Sequence, residues 1–281
     1  MKLGIVVNEK SGSVPEDGRE QLAAFLVEEG HEPILPLDIG AGLEDQVAGL
    51  VAAGSEAIAV WGGDGTICAV LQSANGAVPV LVLPGGTMNL LPKRLHNDEL
   101  DWKKIVHSVL ANPKPGWISA GEVGGQRFYV AALFGQLTHI GASREAVREG
   151  AILEAVSILT DRATLDIESN IQVEVDQPDM VRECPATAVA VIPAEQEGLE
   201  IAVIAPDNHL DLAASAMDAL ARGWRESAHF HAEGAMAIRM RHTEGKAIPA
   251  TIDGEPCEPG DVLAISYIPK AACVLVAGGE A

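Results

Sequence analysis

Basic residues are scarce in this chain of 281 residues, which has 19 Lys and Arg against 40 Asp and Glu and a formal net charge of −21. Nucleic acids and anionic lipid headgroups attract proteins through basic side chains that neutralise phosphates. We therefore exclude nucleic acid as a partner and expect at most transient contact with a membrane surface. Any phosphate must be held locally, by backbone amides, a metal ion or the clustered cations Lys93 and Arg94.

Long apolar runs and paired cysteines are also lacking. No apolar stretch approaches the roughly 20 residues of a membrane span, and Met1-Lys2 leads directly into a strand-like Leu3–Val7 instead of a signal peptide. The four cysteines have no C-x-x-C spacing, which predicts neither a zinc site nor a redox role. We expect a cytoplasmic protein without a transmembrane segment.

A glycine-rich turn, Trp61-Gly62-Gly63-Asp64-Gly65-Thr66, lies between the apolar run Ala57–Val60 and a helix-like Ile67–Ala74. Glycines allow a ligand to approach the backbone, and N–H groups at a helix N-terminus attract anions. Asp64 would repel phosphates unless a divalent cation lies between them. The turn therefore predicts metal-linked phosphate binding, although it matches neither the dinucleotide fingerprint nor the P-loop. A plain strand-to-helix turn is the structural alternative.

Residues 1–117 alternate between apolar strands and helices. Strands are predicted at Leu3–Val7, Pro33–Leu37, Ile58–Trp61 and Val78–Leu83, and helices at Glu16–Glu29, Leu43–Ala53 and Ile67–Ala74. Strands that are apolar on both faces indicate a parallel sheet with helices on each side, and ligands bind at the carboxyl ends of such strands. Three glycine-bearing turns, Asn8–Gly12, Gly62–Thr66 and Pro84–Asn89, follow strands and are expected to serve one crevice.

Two prolines and a glycine in Asn112–Gly116 break this alternation, so we place a domain boundary there. The predicted fold is α/β plus all-β, with an α/β nucleotide-binding domain at 1–117 and an antiparallel β-sandwich domain at 118–281. The last strand could pack back onto the first domain. The second domain has two predicted helices, Ser143–Leu159 and Leu212–Arg222. Its predicted strands are Arg127–Phe134, Ile171–Val175, Thr187–Ile192, Leu199–Ile204, Ala235–Met240 and Val262–Ile268.

Four stretches match, in order, the motifs of one family: Asn8 with Ser11-Gly12, Gly62–Thr66, Pro84–Asn89 followed by Lys93-Arg94-Leu95, and Asp253-Gly254-Glu255. Together they resemble the diacylglycerol kinase catalytic domain, which sphingosine kinases and bacterial soluble lipid kinases share. The resemblance implies an ATP- and Mg²⁺-dependent kinase that phosphorylates a hydroxyl of diacylglycerol or a related lipid, with ATP in a cleft between two domains. NAD kinases carry the same Gly-Gly-Asp-Gly-Thr turn, but Asp253-Gly254-Glu255 favours the lipid kinases.

The resemblance also assigns roles to individual residues. Nucleotide contacts fall on Asn8, Gly62, Gly63, Asp64, Gly65, Thr66, Gly86, Thr87 and Asn89. Residues 205–211 resemble a family loop whose backbone oxygens bind a structural metal ion. This resemblance places the ligands of that ion at Ile204, Asp207 and His209. Asp64 belongs to the separate Mg²⁺ site.

Glu255 is the candidate base for the acceptor hydroxyl, with the neighbouring carboxylate of Asp253 as its catalytic companion. The structural alternative is a type I′ hairpin turn, for which Asp-Gly is a common signal.

Three positions depart from the family pattern. Leu90 and Ser119 stand where the family has aspartates that join Asp64 around Mg²⁺, and Cys68 replaces a frequent asparagine. A nucleotide- or lipid-binding regulatory relative with impaired catalysis therefore stays open as the alternative, followed by an NAD kinase. A homodimer also stays open.

His229 and His231 alternate along a predicted strand and therefore share one face. The neighbouring sequence provides no obvious third ligand, so we favour a solvated sheet face over a metal site.

Overall fold

The computed structural model describes residues 1–87, 89–135, 138, 169–177, 180–194, 197–205 and 230–278. The predicted helices Ser143–Leu159 and Leu212–Arg222 lie outside these residues. The chain divides into an N-terminal unit, Met1–Ala120 with Lys270–Ala281, and a C-terminal unit, Gly121–Pro269. Among the described residues, no helix is both long enough and apolar enough to cross a membrane.

The described elements are given in chain order. The first eleven are β1 (Lys2–Val7), α1 (Gly18–Glu28), β2 (Glu32–Ile34), α2 (Leu43–Ala52), β3 (Ala57–Gly62), α3 (Asp64–Ala74), β4 (Val80–Pro84), α4 (Leu90–Leu95), α5 (Trp102–Ala111), β5 (Pro113–Val123) and β6 (Gln126–Phe128). The remainder are β7 (Ala132–Gly135), β8 (Ile171–Gln177), β9 (Met180–Ala186), β10 (Ala188–Pro193), β11 (Leu199–Ile204), β12 (Phe230–Ala235), β13 (Ala237–His242), β14 (Ala250–Ile252), β15 (Glu255–Cys257) and β16 (Val262–Ala277).

The N-terminal unit is built on a parallel sheet with strand order β2-β1-β3-β4, and the C-terminal part of β16 lies beside β4. Strands β3 and β4 are buried along their whole length, as expected for strands covered on both faces. One face packs against α1 and α5 through residues such as Leu22 and Val109. The opposite face packs against α2 and α3. The predicted α/β architecture is confirmed.

A missing side chain in β1 allows α2 to lie close to the sheet. A Cβ atom at Gly4 would lie 2.8 Å from Ser55 Oγ and 3.1 Å from Leu50 Cδ1. Gly4 alternates with Leu3 and Ile5, which belong to the core on the other face. The two faces of one strand therefore pack against different helices.

Two helices of this unit were absent from the predicted pattern. Helix α5 begins after Asp101, whose carboxylate accepts hydrogen bonds from the N–H groups of Lys103 and Lys104 at 3.0 and 3.4 Å. Helix α4 spans only six residues and contains Pro92 in its first turn, where proline is tolerated. The predicted break at Asn112–Gly116 instead begins strand β5.

The C-terminal unit contains two antiparallel sheets. One includes the first part of β16 followed by β13, β8 and β9, and the other has the order β12-β11-β10-β7-β14-β15. Their apolar side chains form one core cluster, with Val173 and Ile238 from the first sheet and Val189 and Ile201 from the second. The predicted β-sandwich is confirmed.

Strand Leu199–Ile204 has its predicted bounds, but two other predictions joined separate strands. The predicted strand Arg127–Phe134 is split between β6 and β7. The N–H groups of the intervening Tyr129–Ala131 donate to the carboxylate of Asp253. The predicted Ala235–Met240 spans the end of β12 and most of β13. Strands β9, β14 and β15 were not predicted, because three-residue strands and a polar edge strand give little periodicity.

Candidate active site

Three turns meet at the carboxyl edge of the parallel sheet. The Asn8 N–H after β1 donates to Trp61 O of β3 at 2.9 Å. The Gly85 N–H after β4 donates to Gly62 O at 2.9 Å, and the Ser13 N–H donates to Gly85 O at 3.1 Å. Backbone hydrogen bonds therefore connect each turn to its neighbours.

Two glycines after β4 are required by this close approach. A Cβ atom at Gly85 would lie 2.4 Å from Val14 Cγ2 and 2.9 Å from Gly62 Cα. A Cβ atom at Gly86 would lie 2.8 Å from Gly63 Cα. Because backbone atoms form part of each obstacle, a side chain at either position would force the turns apart.

The N-terminus of α3 lies at the centre of the three turns. Its N-cap is Gly63, whose N–H donates to Ser11 Oγ at 3.1 Å, and Asn8 Nδ2 donates to Thr66 Oγ1 at 2.8 Å. The N–H groups of the first helical turn have no acceptor within the helix, and the helix dipole makes this end positive. The arrangement is suited to binding an anion.

Asp64 begins α3 and therefore places a carboxylate beside these N–H groups. Its Oδ1 accepts a hydrogen bond from the Leu91 N–H of α4 at 3.3 Å. The side chain is half-buried, whereas Leu90, at the family's aspartate position, is 39% exposed and offers no oxygen ligand. Mg²⁺ prefers oxygen ligands and retains several waters, so the Asp64 carboxylate has the chemistry of a Mg²⁺ ligand.

Asn89 holds the third turn together. Its backbone has a φ of 49°, in the left-handed region that asparagine tolerates. Its Oδ1 accepts from the Gly86 N–H at 2.8 Å and its Nδ2 donates to Gly86 O at 2.9 Å. The Asn89 side chain is only 7% exposed, so its geometry indicates a role in shaping the turn.

The structure thus brings the sequence-predicted nucleotide residues of all three turns to one place. Thr87 is exposed, and its Oγ1 lies 3.5 Å from a Cβ built at Gly12; Met88 lies outside the described residues.

Sequence reasoning did not assign site roles to Ser11 and Ser13, although the Asn-x-x-Ser-Gly motif contains the first of them. Both hydroxyls contact neighbouring turns, with Ser13 Oγ donating to Gly86 O at 3.3 Å.

Asp253 and Gly254 form the two-residue turn between β14 and β15. Their φ values of 44° and 90° and the pairing of Ile252 with Glu255 define a type I′ hairpin, the structural alternative drawn from the sequence. Glu255 follows directly and is exposed. The turn does not exclude a chemical role, because the exposed Glu255 follows it directly.

The Asp253 carboxylate anchors this hairpin. Its Oδ2 accepts from the Tyr129 N–H at 2.8 Å, and its Oδ1 accepts from the N–H groups of Val130 and Ala131 at 2.9 and 3.0 Å. The Asp253 N–H in turn donates to Ala131 O at 2.9 Å. Three N–H groups directed at one carboxylate make a strong, charge-assisted contact. These bonds favour a positioning role for Asp253 over direct chemistry.

Of the three predicted ligands of the structural metal, only Ile204 is described. Its backbone oxygen accepts a hydrogen bond from the Thr187 N–H at 2.8 Å, which leaves the second lone pair for another partner. Asp207 and His209 lie outside the described residues.

Comparison with known proteins agrees with this geometry. Residues 2–116 match the family model described as the diacylglycerol kinase catalytic domain. The resemblance inferred from the motifs is confirmed. No curated protein matches the chain.

Solved structures show the same fold. A diacylglycerol kinase from Bacillus anthracis str. Sterne is 19% identical with a TM-score of 0.66, covering 97% of this chain and 96% of that protein. An NAD kinase from Archaeoglobus fulgidus in complex with ATP is 12% identical with a TM-score of 0.53, covering 100% of this chain and 94% of that protein. At these identities the likeness establishes the fold alone.

His96 connects α4, which carries the Leu91 N–H, to strand β4. Its Nε2 lies 2.9 Å from Val82 O, and because a carbonyl only accepts, Nε2 must carry the hydrogen. Burial lowers the pKa of the His96 imidazole below its ordinary value of 6.5, outweighing this hydrogen bond, which raises it.

We expect His96 to make the protein less stable in acid. The unfolded chain binds a proton near pH 6.5, whereas the folded chain keeps His96 neutral to a lower pH, so unfolding becomes more favourable as the pH falls through this interval. In urea unfolding between pH 8 and about pH 5, His96→Gln should lose less stability than the wild type. His107→Gln, a change at a side chain that is 68% exposed, serves as control. If the free energy of unfolding falls equally with pH in the wild type and in His96→Gln, His96 does not cause the loss of stability in acid.

Proposed function

We propose that this protein is an ATP- and Mg²⁺-dependent lipid kinase that phosphorylates a hydroxyl of diacylglycerol or a related lipid in the cytoplasm. The observation that carries the proposal is the meeting of three backbone turns at the N-terminus of α3, within the part of the chain that matches the kinase family. In this proposal residues 1–117 bind the nucleotide and residues 118–281 bind the acceptor.

The proposed nucleotide contacts follow from the chemistry of the turns. The N–H groups at the start of α3 would bind phosphate oxygens, and Asn8 and Thr66 would fix the adjoining backbone through their mutual hydrogen bond. Asp64 would hold Mg²⁺ together with the phosphates, and the ion would neutralise phosphate charge during transfer. Lys93 in α4 adds a cation beside the third turn.

The proposed base is Glu255. Phosphoryl transfer requires an acceptor hydroxyl that is oriented and relieved of its proton, and an exposed carboxylate on a rigid hairpin can do both. Asp253 would act through the hairpin, because its three backbone hydrogen bonds fix where β15 begins. Asp253 is therefore a positioning residue in this proposal.

The alternative is a regulatory relative that binds nucleotide or lipid with impaired catalysis. It is motivated by Leu90 and Ser119, which remove two carboxylates from the acidic set that the family uses. Fewer carboxylates bind Mg²⁺ less tightly. An NAD kinase is a second alternative, because the ATP-bound NAD kinase shares the fold. It is less favoured, because Asp253-Gly254-Glu255 resembles the lipid kinases. Offering diacylglycerol, sphingosine and NAD to the same preparation separates the three.

Asp64→Asn should weaken Mg²⁺-dependent ATP binding by at least about tenfold. Asparagine retains the Oδ1 acceptor for the Leu91 N–H but loses the charge that attracts the cation. The measurement is calorimetric titration with ATP, with and without Mg²⁺. Asp45→Asn is the matched control, because Asp45 also lies in the first turn of a helix, α2, and belongs to none of the three turns. Absence of ATP binding by the wild type under both conditions would overturn the nucleotide site.

Glu255→Gln should lower kcat by about 10²- to 10⁴-fold, the usual contribution of a positioned base, while the Kd for ATP stays unchanged. The assay follows transfer of labelled phosphate from ATP to diacylglycerol in mixed micelles. Glu258→Gln, an exposed neighbour three residues further on, should retain wild-type turnover. Full activity in Glu255→Gln would assign the base elsewhere.

Leu90→Asp should lower the Mg²⁺ concentration that gives half-maximal activity by several-fold, because it adds an oxygen ligand beside Leu91, whose N–H donates to Asp64. Leu100→Asp is the matched control, since Leu100 is similarly exposed at 42%. If the wild type is inactive and Leu90→Asp transfers phosphate to a lipid, the result would favour the regulatory relative with impaired catalysis. An unchanged Mg²⁺ dependence would show that position 90 does not contribute to metal binding.

A further inference from the structure

Trp61, which directly precedes Gly62, is hydrogen-bonded to both of the other turns. Its backbone oxygen accepts the Asn8 N–H at 2.9 Å, which connects it to the first turn. Its indole Nε1 donates to Pro84 O at 2.9 Å, where β4 ends and the third turn begins. Because the glycine-rich turn follows Trp61 in the chain, this one residue connects the three turns that form the candidate nucleotide site.

The Trp61 indole is held in place by the core. The side chain is only 2% exposed and belongs to the apolar cluster between the sheet, α1 and α5. The centroid of the Trp102 ring in α5 lies 4.5 Å away, and Phe25 of α1 meets Trp102 edge to face at 5.4 Å. Aromatic pairs at these distances attract each other. Moving the indole away from Pro84 would therefore disturb the packing of both helices.

The hydrogen bond from the indole fixes the point from which the third turn starts. Gly85 follows Pro84, and its N–H donates to Gly62 O while its carbonyl accepts the Ser13 N–H. Gly86 comes next, with so little clearance from the backbone before α3 that a small shift would change the space in front of that helix. A buried carbonyl that loses its donor is destabilised, so without the indole N–H the turn would shift toward another donor or water.

We propose that Trp61 is a positioning residue of the nucleotide site. Its indole N–H holds Pro84 O and thereby keeps the third turn against the start of α3. In this role Trp61 acts through Pro84 and not by contact with the nucleotide. The expected effect on ATP rests on the proposed function, whereas the effect on the third turn can be measured without any ligand.

The first measurement is hydrogen exchange of individual backbone amides in the full-length protein without nucleotide. Trp61→Phe keeps an aromatic ring beside Trp102 but removes the donor. The Gly85 and Gly86 N–H groups should therefore exchange at least about fivefold faster than in the wild type. Amides of α2, on the opposite face of the sheet, should keep their wild-type rates.

The matched control is Trp102→Phe. It changes the other ring of the same aromatic pair and leaves the bond from Trp61 to Pro84 in place. Trp102→Phe should lower the Tm, as Trp61→Phe should, but leave the exchange rates of Gly85 and Gly86 at their wild-type values. This difference separates positioning of the turn from a general contribution to stability.

The second measurement is the Kd for ATP in the presence of Mg²⁺, by calorimetry. Trp61→Phe should raise this Kd at least about fivefold, because a displaced turn must return to its place before the nucleotide binds. The KM for diacylglycerol should stay at the wild-type value, and Trp102→Phe should change neither constant.

Trp61→benzothienylalanine keeps the test open if Trp61→Phe fails to fold, because that side chain matches the size of tryptophan and has sulfur in place of the N–H group. Wild-type exchange at Gly85 and Gly86 in the variant without the donor would contradict the inference. Faster exchange with an unchanged Kd for ATP would contradict it as well. If the wild type binds no ATP, the proposed function fails, and the exchange rates alone decide whether Trp61 positions the turn.

Discussion

Close approach of backbone to backbone at the carboxyl edge of the parallel sheet is the constraint on which the candidate nucleotide site depends. Gly85 and Gly86 pass so near Gly62 and Gly63 that even a methyl group would collide with main-chain atoms. Because the turns touch directly, the N-terminus of α3 has no side chain in front of it at these positions. The same glycines therefore permit the packing and add no side chain that would block an anion at this helix end.

Polar side chains then fix the position of each turn. Asn89 binds both backbone groups of Gly86, Ser11 binds the Gly63 N–H, and Asn8 binds Thr66. A comparable device operates in the C-terminal unit, where Asp253 binds three consecutive N–H groups. In both units a residue that the motif marks as functional acts on the backbone, which agrees with preorganised sites being supported by a rigid surrounding network.

The sequence predicted those parts of the structure that depend on local patterns. Most of the buried strands and helices, and the glycine turns, have a period or composition that a short window reveals, and the three turns lie at one edge of the sheet as expected. Helix α4 was missed because six residues with a proline have no period to detect. The break between β6 and β7 was missed because its cause, the Asp253 carboxylate, lies more than 120 residues further along the chain.

The same limit applies to polar side chains that meet across strands. Asp64 was found because its glycine neighbours mark it, whereas Glu200 has no distinctive neighbours and meets His231 only through the pairing of β11 with β12. A single sequence contains no record of which strands pair. Side chains that act through their own turn are therefore predictable, and side chains that act across strands require the fold.

The acidic composition does not argue against phosphate binding at α3. Charges on the solvated surface are screened over about 8 Å at physiological ionic strength, so the net charge of −21 acts weakly on a bound phosphate. Among the described residues, the helix dipole, the N–H groups at the start of α3 and the Asp64 carboxylate contribute to the local field there. In the proposed function, Leu90 and Ser119 in place of two family aspartates would weaken the attraction for Mg²⁺ and would lower the repulsion that an unaccompanied phosphate would meet.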